Sequence, residues 1–317
     1  MKKIIYIVPY FGRLPDYFQL WLNTCSFNEK VNWLVITDDH SEFNVPTNVK
    51  VIYSEFKKIK KLIQERFDFK ISLESSYKLV DYKIAYGEIF DEYTRGYDFW
   101  GFCDIDLMWG DIRYFINDEI LENYDKIGIQ GHSTIFKNND KINSLYRHGE
   151  YNNITYKEVF ESNKIFCSDR EFIETIFLKN NKKIFRDTNY ANLVVTKPGF
   201  FLRDMPSSDE NNNYRQVFLW KNGKLFRYYK QGQEVVCKEF MYIHFFRRKM
   251  NNKIKTMSDP ILIYPNTYLN FTEPVTIDVL NKYGWKSKIS YIFRMAYQYK
   301  NKITMKRLVL MIESLLH

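Results

Sequence analysis

The sequence predicts an α/β fold: a mixed, mostly parallel sheet flanked by helices, followed by a helical extension at the C-terminus. Short β-branched and aromatic runs alternate with longer stretches in which apolar residues recur three and four apart, the periods of strands and amphipathic helices. The strand-like runs of the first half are nearly all apolar, as strands buried on both faces are. With 45% hydrophobic residues and only 12 Gly and 8 Pro in 317, collagen-like, low-complexity and disordered classes are excluded. A chain of this length buries roughly 75% of its unfolded surface, so its core needs neither disulfide nor metal.

The elements follow in order. Ile4 to Val8 is the first strand; the two lysines before it imitate a signal peptide, but Pro9 cuts the apolar run short and Arg13 and Asp16 follow at once. Tyr17 to Cys25 is a helix, Trp33 to Thr37 and Val49 to Tyr53 are strands, and Lys57 to Phe67 and Leu79 to Tyr93 are helices. Phe99 to Asp104 and Ile127 to Gln130 complete the strands of the first half. In the second half, helical patterns at Tyr156 to Glu161 and Arg170 to Leu178 give way to a strand-rich region, Leu193 to Tyr229. There Asn222-Gly223 marks a hairpin turn between two apolar runs. Residues 207–213 form a polar loop, the pattern after Pro265 turns helical, and residues 286–317 read as basic amphipathic helix. This organisation is one domain over residues 1–285 with the C-terminal helical segment 286–317.

Function classes narrow quickly. Cys25, Cys103, Cys167 and Cys237 are scattered without a C-x-x-C pair, as reduced thiols of a cytoplasmic protein are. No run approaches the ~18 uncharged apolar residues of a membrane span. Lys and Arg exceed Asp and Glu by 47 to 38, and aromatics reach 18%, so nucleic acid, an anionic membrane and phosphorylated ligands are the partners to weigh. Zinc-finger spacing, RNP aromatics and a helix-turn-helix signal are missing, which argues against nucleic acid.

In an α/β sheet, ligands bind beyond the carboxyl ends of the strands, and polar residues gather at two of those ends: Thr37-Asp38-Asp39-His40 and Cys103-Asp104-Ile105-Asp106. In an extended chain Asp104 and Asp106 face the same way, about 6.5–7 Å apart along the strand. Two hard carboxylates so placed suit a divalent ion that keeps positions open for diphosphate oxygens. The bland alternative is a solvated or helix-capping pair. A haloacid-dehalogenase-type phosphatase also uses D-x-D, but at its first strand and with Thr or Val where Met108 stands.

The block from Tyr97 to Leu107 followed by Trp109-Gly110-Asp111-Ile112 resembles the D-x-D region of bacterial GT-A-type glycosyltransferases of capsule and O-antigen polysaccharide biosynthesis. Ile7-Val8-Pro9-Tyr10-Phe11-Gly12 and the run from Tyr77 to Gly87 carry the same resemblance. It spans about residues 1–250. What it implies is a GT-A-type, Rossmann-like fold and transfer of a hexose, with galactose as the guess, from a UDP-sugar to a hydroxyl of a lipid-linked surface-polysaccharide acceptor. The cofactor implied is Mn²⁺ or Mg²⁺ on Asp104 and Asp106, with His244 as third ligand. An imidazole beside two carboxylates favours Mn²⁺. The nucleotide-sugar site carried over comprises Pro9, Tyr10, Phe11, Asp38, Asp81, Lys83, Ile105, Arg247 and Lys249, with Arg248 beside them. Taken alone, His244 in its apolar run is a core residue and the basic run a solvated patch.

A single inverting displacement needs a base for the acceptor hydroxyl. Asp169 is the first candidate and Glu171 the second; the competing reading is a helix start capped by Ser168 or Asp169 with Glu171 in a capping box. Trp109 is a candidate to stack on a sugar and His132 to bond its hydroxyl, against packing and turn roles. The C-terminal segment suits an anionic membrane surface. The expectation is thus a cytoplasmic enzyme, peripheral on the inner face of the membrane. Competing with it is a basic protein without catalysis that binds glycan or nucleic acid.

Overall fold

The computed structural model describes residues 1–195, 197, 199–205, 215–258 and 260–284. The chain divides into two compact units, Met1–Tyr190 and a second from Ala191 onward. The C-terminal segment 286–317 and the polar loop 207–213 lie outside the described residues.

The first unit is a mixed α/β fold on a largely parallel sheet. Strands β1 (Ile4–Tyr10), β2 (Val31–Thr37) and β3 (Val49–Tyr53) run parallel, as does β4 (Phe99–Cys103) against β1. A short strand β5 (Leu107–Trp109) follows the D-x-D segment. The hairpin β6 (Lys126–Gln130) and β7 (Ser133–Lys137) extends the sheet antiparallel to β4, and after the small hairpin β8 (Glu150–Tyr151) and β9 (Ile154–Thr155), β10 (Ile184–Phe185) forms the edge. The order across the sheet is β10-β6-β7-β4-β1-β2-β3. Its centre explains the apolar runs: every residue of β4 and the first five of β1 are buried.

The helices cover this sheet. α1 (Phe18–Ser26) buries Phe18, Trp21, Leu22 and Cys25, and α2 (Phe56–Gln64) buries Ile59 and Ile63 while its lysines face water. The single helix expected over Leu79 to Tyr93 is instead a chain of turns, including α3 (Leu79–Tyr82), α4 (Tyr86–Ile89) and α5 (Asp91–Thr94). Two anchors account for the breaks. Asp81 is tied to backbone amides of residues 166 and 168, and Gly87 lies so close to β4 that a Cβ there would stand 2.5 Å from Trp100 Nε1. Short helices α6 (Ile112–Phe115), α7 (Asp118–Asn123) and α8 (Asp140–Asn143) each take an N-cap from Asp111, Asn117 and Asn139. α9 (Tyr156–Glu161) begins with a capping box between Thr155 and Glu158, and α10 (Glu171–Lys179) packs Phe172, Ile173, Ile176 and Phe177 into the main core.

The chain passes through β11 (Tyr190–Asn192) into the second unit. There β12 (Gln216–Lys221), β13 (Lys224–Gln231) and β14 (Glu234–Phe240) form an antiparallel meander, with β15 (Tyr242–His244) and β16 (Asn251–Lys253) after it. Asn222 and Gly223 both take positive φ, 49° and 77°, as the two-residue turn demands. β17 (Ile261–Tyr264) and β18 (Thr267–Asn270) complete a sheet of order β14-β13-β12-β17-β18-β16, and α11 (Ile277–Tyr283) packs Val279 and Leu280 on it. The helical expectation after Pro265 is therefore corrected: β18 comes first, because Tyr264 and Thr267 pair across an Asn266 turn with φ 66°.

Candidate active site

Register places the site. Tyr10 on β1 stands opposite Thr37 on β2, and Thr37 opposite Tyr53 on β3, so three parallel strands end in one row. Ile7 pairs with Phe102, so the chain leaves β4 alongside Pro9 and Tyr10. Gly12 N–H donates to Asp38 Oδ1 at 2.7 Å and Leu14 N–H to Asp39 Oδ2 at 2.7 Å, tying the loop after β1 to the end of β2. Hydrogen bonds from the Ser41 hydroxyl first, and then from the Leu14 and Ser41 amides, hold the Asp39 carboxyl below its ordinary value. Phe11 packs edge-on against Phe56.

The D-x-D segment is a bend between β4 and β5, not the extended strand expected. The bend still brings the carboxylates together: oxygens of Asp104 and Asp106 come within 4.8 Å of each other, with Ile105 buried between them. Asp104 N–H donates to His132 C=O at 2.9 Å, which fixes the bend to the turn before β7.

Lys83 is the centre of the site. Its Nζ donates to Asp104 Oδ1 at 2.9 Å, to Asp169 Oδ2 at 3.1 Å and to Gly131 C=O at 2.7 Å. Burial pushes this ammonium down, but Asp104 and Asp169 more than reverse it, and Lys83 is held protonated well above its ordinary range. Asp169 is pushed upward by burial, an effect that Lys83 opposes. Its Oδ1 is buried and takes no hydrogen bond from the described residues. Gly131 makes room for it, since a Cβ there would stand 2.5 Å from Asp169 Oδ2.

Asp81 lies one step back. Fully buried, it accepts from Lys78 Nζ at 2.8 Å and from the amides of Phe166 and Ser168, while Ser168 Oγ donates to its backbone carbonyl at 2.7 Å. Its contacts thus anchor the loop that carries Asp169. The capping alternative for this loop fails: α10 starts at Glu171 behind Arg170, which makes no side-chain cap, and Ser168 is spent on Asp81. Glu171 is exposed on the first turn.

Two candidates take other roles. Trp109 lies in an aromatic cluster with Tyr6 and Trp33, at centroid distances of 5.6 and 6.1 Å, which corrects its assignment as a sugar-stacking surface. Arg248 is buried in the second unit, bonding Asn266 Oδ1 at 2.8 Å and the Gly199 carbonyl at 3.1 Å, which corrects its place in an exposed basic run. Its neighbours Arg247 and Lys249 are exposed. The His132 ring packs against Tyr190 at 5.4 Å. In the second unit, buried His244 has Nδ1 2.9 Å from Asn192 Oδ1, the kind of partner that orients a ligating imidazole.

Sequence reading overlooked Tyr17 and Gly131. Burial raises the Tyr17 hydroxyl first and the Asp106 charge next; Tyr10 is raised by burial and by Asp106 as well. The available signal was position, since Tyr17 opens the helix that follows β1. For Gly131 the signal was a small residue next to a histidine at a strand end.

Residues 6–272 match the family of unknown function DUF6625. The chain belongs to that family. No curated protein matches it. Among solved structures, mouse xyloside xylosyltransferase 1 in its apo form is similar with a TM-score of 0.39 and 12% identity, covering 61% of this chain and 88% of that one. So distant a likeness carries no argument about activity. Among the described residues no helix is long and apolar enough to cross a membrane.

Proposed function

We propose that this protein is a metal-dependent GT-A-type glycosyltransferase that moves a hexose from a UDP-sugar to a hydroxyl of a lipid-linked surface glycan. The observation that carries the reading is Lys83, which links a D-x-D aspartate to a second, buried aspartate beyond the strand ends where α/β proteins bind ligands.

The donor set fits a divalent cation: two neighbouring carboxylates on Asp104 and Asp106, and His244 with its Nδ1 side engaged by Asn192. Mn²⁺ or Mg²⁺ held by these three residues would neutralise the diphosphate as it leaves. Pro9, Tyr10, Phe11, Asp38 and Ile105 then line the nucleotide, and the Asp106 charge acts on both Tyr10 and Tyr17. Lys83 keeps Asp104 and Asp169 in fixed positions, and Asp81 holds the loop behind Asp169.

In a single displacement, the bond from the anomeric carbon to the diphosphate oxygen breaks with its electron pair on that oxygen. The acceptor hydroxyl oxygen forms the new bond, and its proton passes to Asp169, whose unbonded Oδ1 and raised affinity for a proton suit the task. Exposed Glu171 is the second candidate. The C-terminal segment would bring the enzyme to an anionic membrane carrying the acceptor.

The test is a panel of UDP-sugars incubated with the full chain and Mn²⁺, reading released UDP. The reading predicts turnover with at least one donor and loss of at least a hundredfold in Asp106→Ala. Equal turnover in the variant, or none with any donor, contradicts it.

A further inference from the structure

The second unit carries a pre-set cation that neither the sequence motifs nor the D-x-D site includes. The Arg203 guanidinium stacks over the Phe246 ring, 4.3 Å from its centroid, and the same ring meets His244 edge-on at 5.7 Å. Asn192 meets the backbone of one residue and the ring of the other: the Arg203 backbone N–H donates to Asn192 C=O at 2.8 Å, and Asn192 Oδ1 lies 2.9 Å from His244 Nδ1. Phe246 and Arg247 hold positive φ of 47° and 62°, conformations that non-glycine residues adopt at a cost and that here set the Phe246 ring.

Stacking fixes the plane of a guanidinium while leaving its edge donors to form a planar fork, the geometry that matches two phosphate oxygens. Arg203 is exposed, so the fork is solvent-accessible; Asp204 is its acidic neighbour in sequence. The guanidinium therefore shares its ring partner, Phe246, with His244, a candidate metal ligand.

We infer that Arg203, stacked on Phe246, is an anion-binding residue that takes phosphate oxygens of a nucleoside diphosphate beside His244. The diphosphate as ligand rests on the transferase reading; the anion site itself does not. Phe246 is the positioning residue, since it touches Arg203 and His244 and contributes no charge.

The experiment is calorimetric titration of the full chain with UDP and, separately, with inorganic pyrophosphate, both with Mn²⁺, for wild type, Arg203→Ala, Arg203→Lys, Phe246→Ala and Phe246→Tyr. A charge-assisted bond of this kind corresponds to roughly a ten- to hundredfold change in Kd. Arg203→Ala and Phe246→Ala are expected to weaken both ligands by that factor, Arg203→Lys to recover only part, and Phe246→Tyr to bind as wild type. Unchanged melting of Arg203→Ala would separate lost binding from misfolding. Binding of both ligands by Arg203→Ala as tightly as by wild type overturns the inference. Pyrophosphate binding that depends on Arg203, in a protein that does not bind UDP, upholds the anion site and sinks the nucleotide-sugar reading. Binding of neither ligand by wild type sinks both.

Discussion

The Lys83 ammonium lies 3.1 Å from Asp169 Oδ2, and neither side chain is more than 13% exposed. A pair so enclosed costs desolvation on both sides, so its value is in position more than in stability. Removing one partner strands the other. Lys83→Met is expected to destabilise the protein by about 3–5 kcal/mol, because Asp169 is left buried without its cation. The double variant Lys83→Met with Asp169→Asn should regain most of that loss in urea titrations; a double variant no more stable than the single one would show that the pair is not coupled.

Gly131 permits this geometry, so Gly131→Ala is a test of it. The new methyl would meet the Asp169 carboxylate at 2.5–3.0 Å, and the carboxylate or the loop must move. A stability loss of about 1–3 kcal/mol is expected from such crowding, together with a fall of at least tenfold in transfer to acceptor. Wild-type transfer in this variant would mean that the position of Asp169 is unimportant.

Stability against pH has two opposing lysine contributions. Lys126 is fully buried on β6, and burial, offset in part by Glu174 and reinforced by Arg186, lowers it to about 7. Between pH 7 and about 10.4 the unfolded chain binds a proton there that the folded chain does not, so stability should rise with pH across that window. Lys126→Met should flatten the slope and stabilise the protein at pH 7. Lys83 acts the other way: its folded value is raised, so its contribution is complete below about pH 10.4 and disappears as pH climbs through that higher value. Urea midpoints at pH 7, 8.5 and 10 for wild type and Lys126→Met check the sign; identical slopes would contradict it.

The Asn222-Gly223 turn offers a control away from the site. Gly223 at φ 77° should lose about 1 kcal/mol or more on substitution by Ala, with donor turnover unchanged.

The strands of the first unit were legible because β1 and β4 are buried on both faces and so read as unbroken apolar runs. The hairpin at Asn222-Gly223 was legible because only a few residues accept its φ values. The stretch from Leu79 to Tyr93 misled because its apolar spacing is helical, while the breaks come from partners far off in sequence, Phe166, Ser168 and Trp100. Within the site, Asp104, Asp106, Lys83 and Asp169 could each be picked from motifs and resemblance. That Asp104 and Asp169 meet on the Lys83 ammonium depends on long-range packing that no local pattern encodes. Trp109 and Arg248 misled in the opposite way: an aromatic after a D-x-D and an arginine in a basic run look like ligand contacts until the core claims them.

On the proposed reading, Asp104 and Asp106 bind a nucleoside diphosphate through a divalent cation. Calorimetric titration of UDP into wild type, Asp104→Asn and Asp106→Asn, each with and without Mn²⁺, tests it most directly. Wild type is expected to bind only when Mn²⁺ is present, and either variant at least tenfold more weakly. Binding of equal strength without the metal, or unchanged by both substitutions, would contradict it.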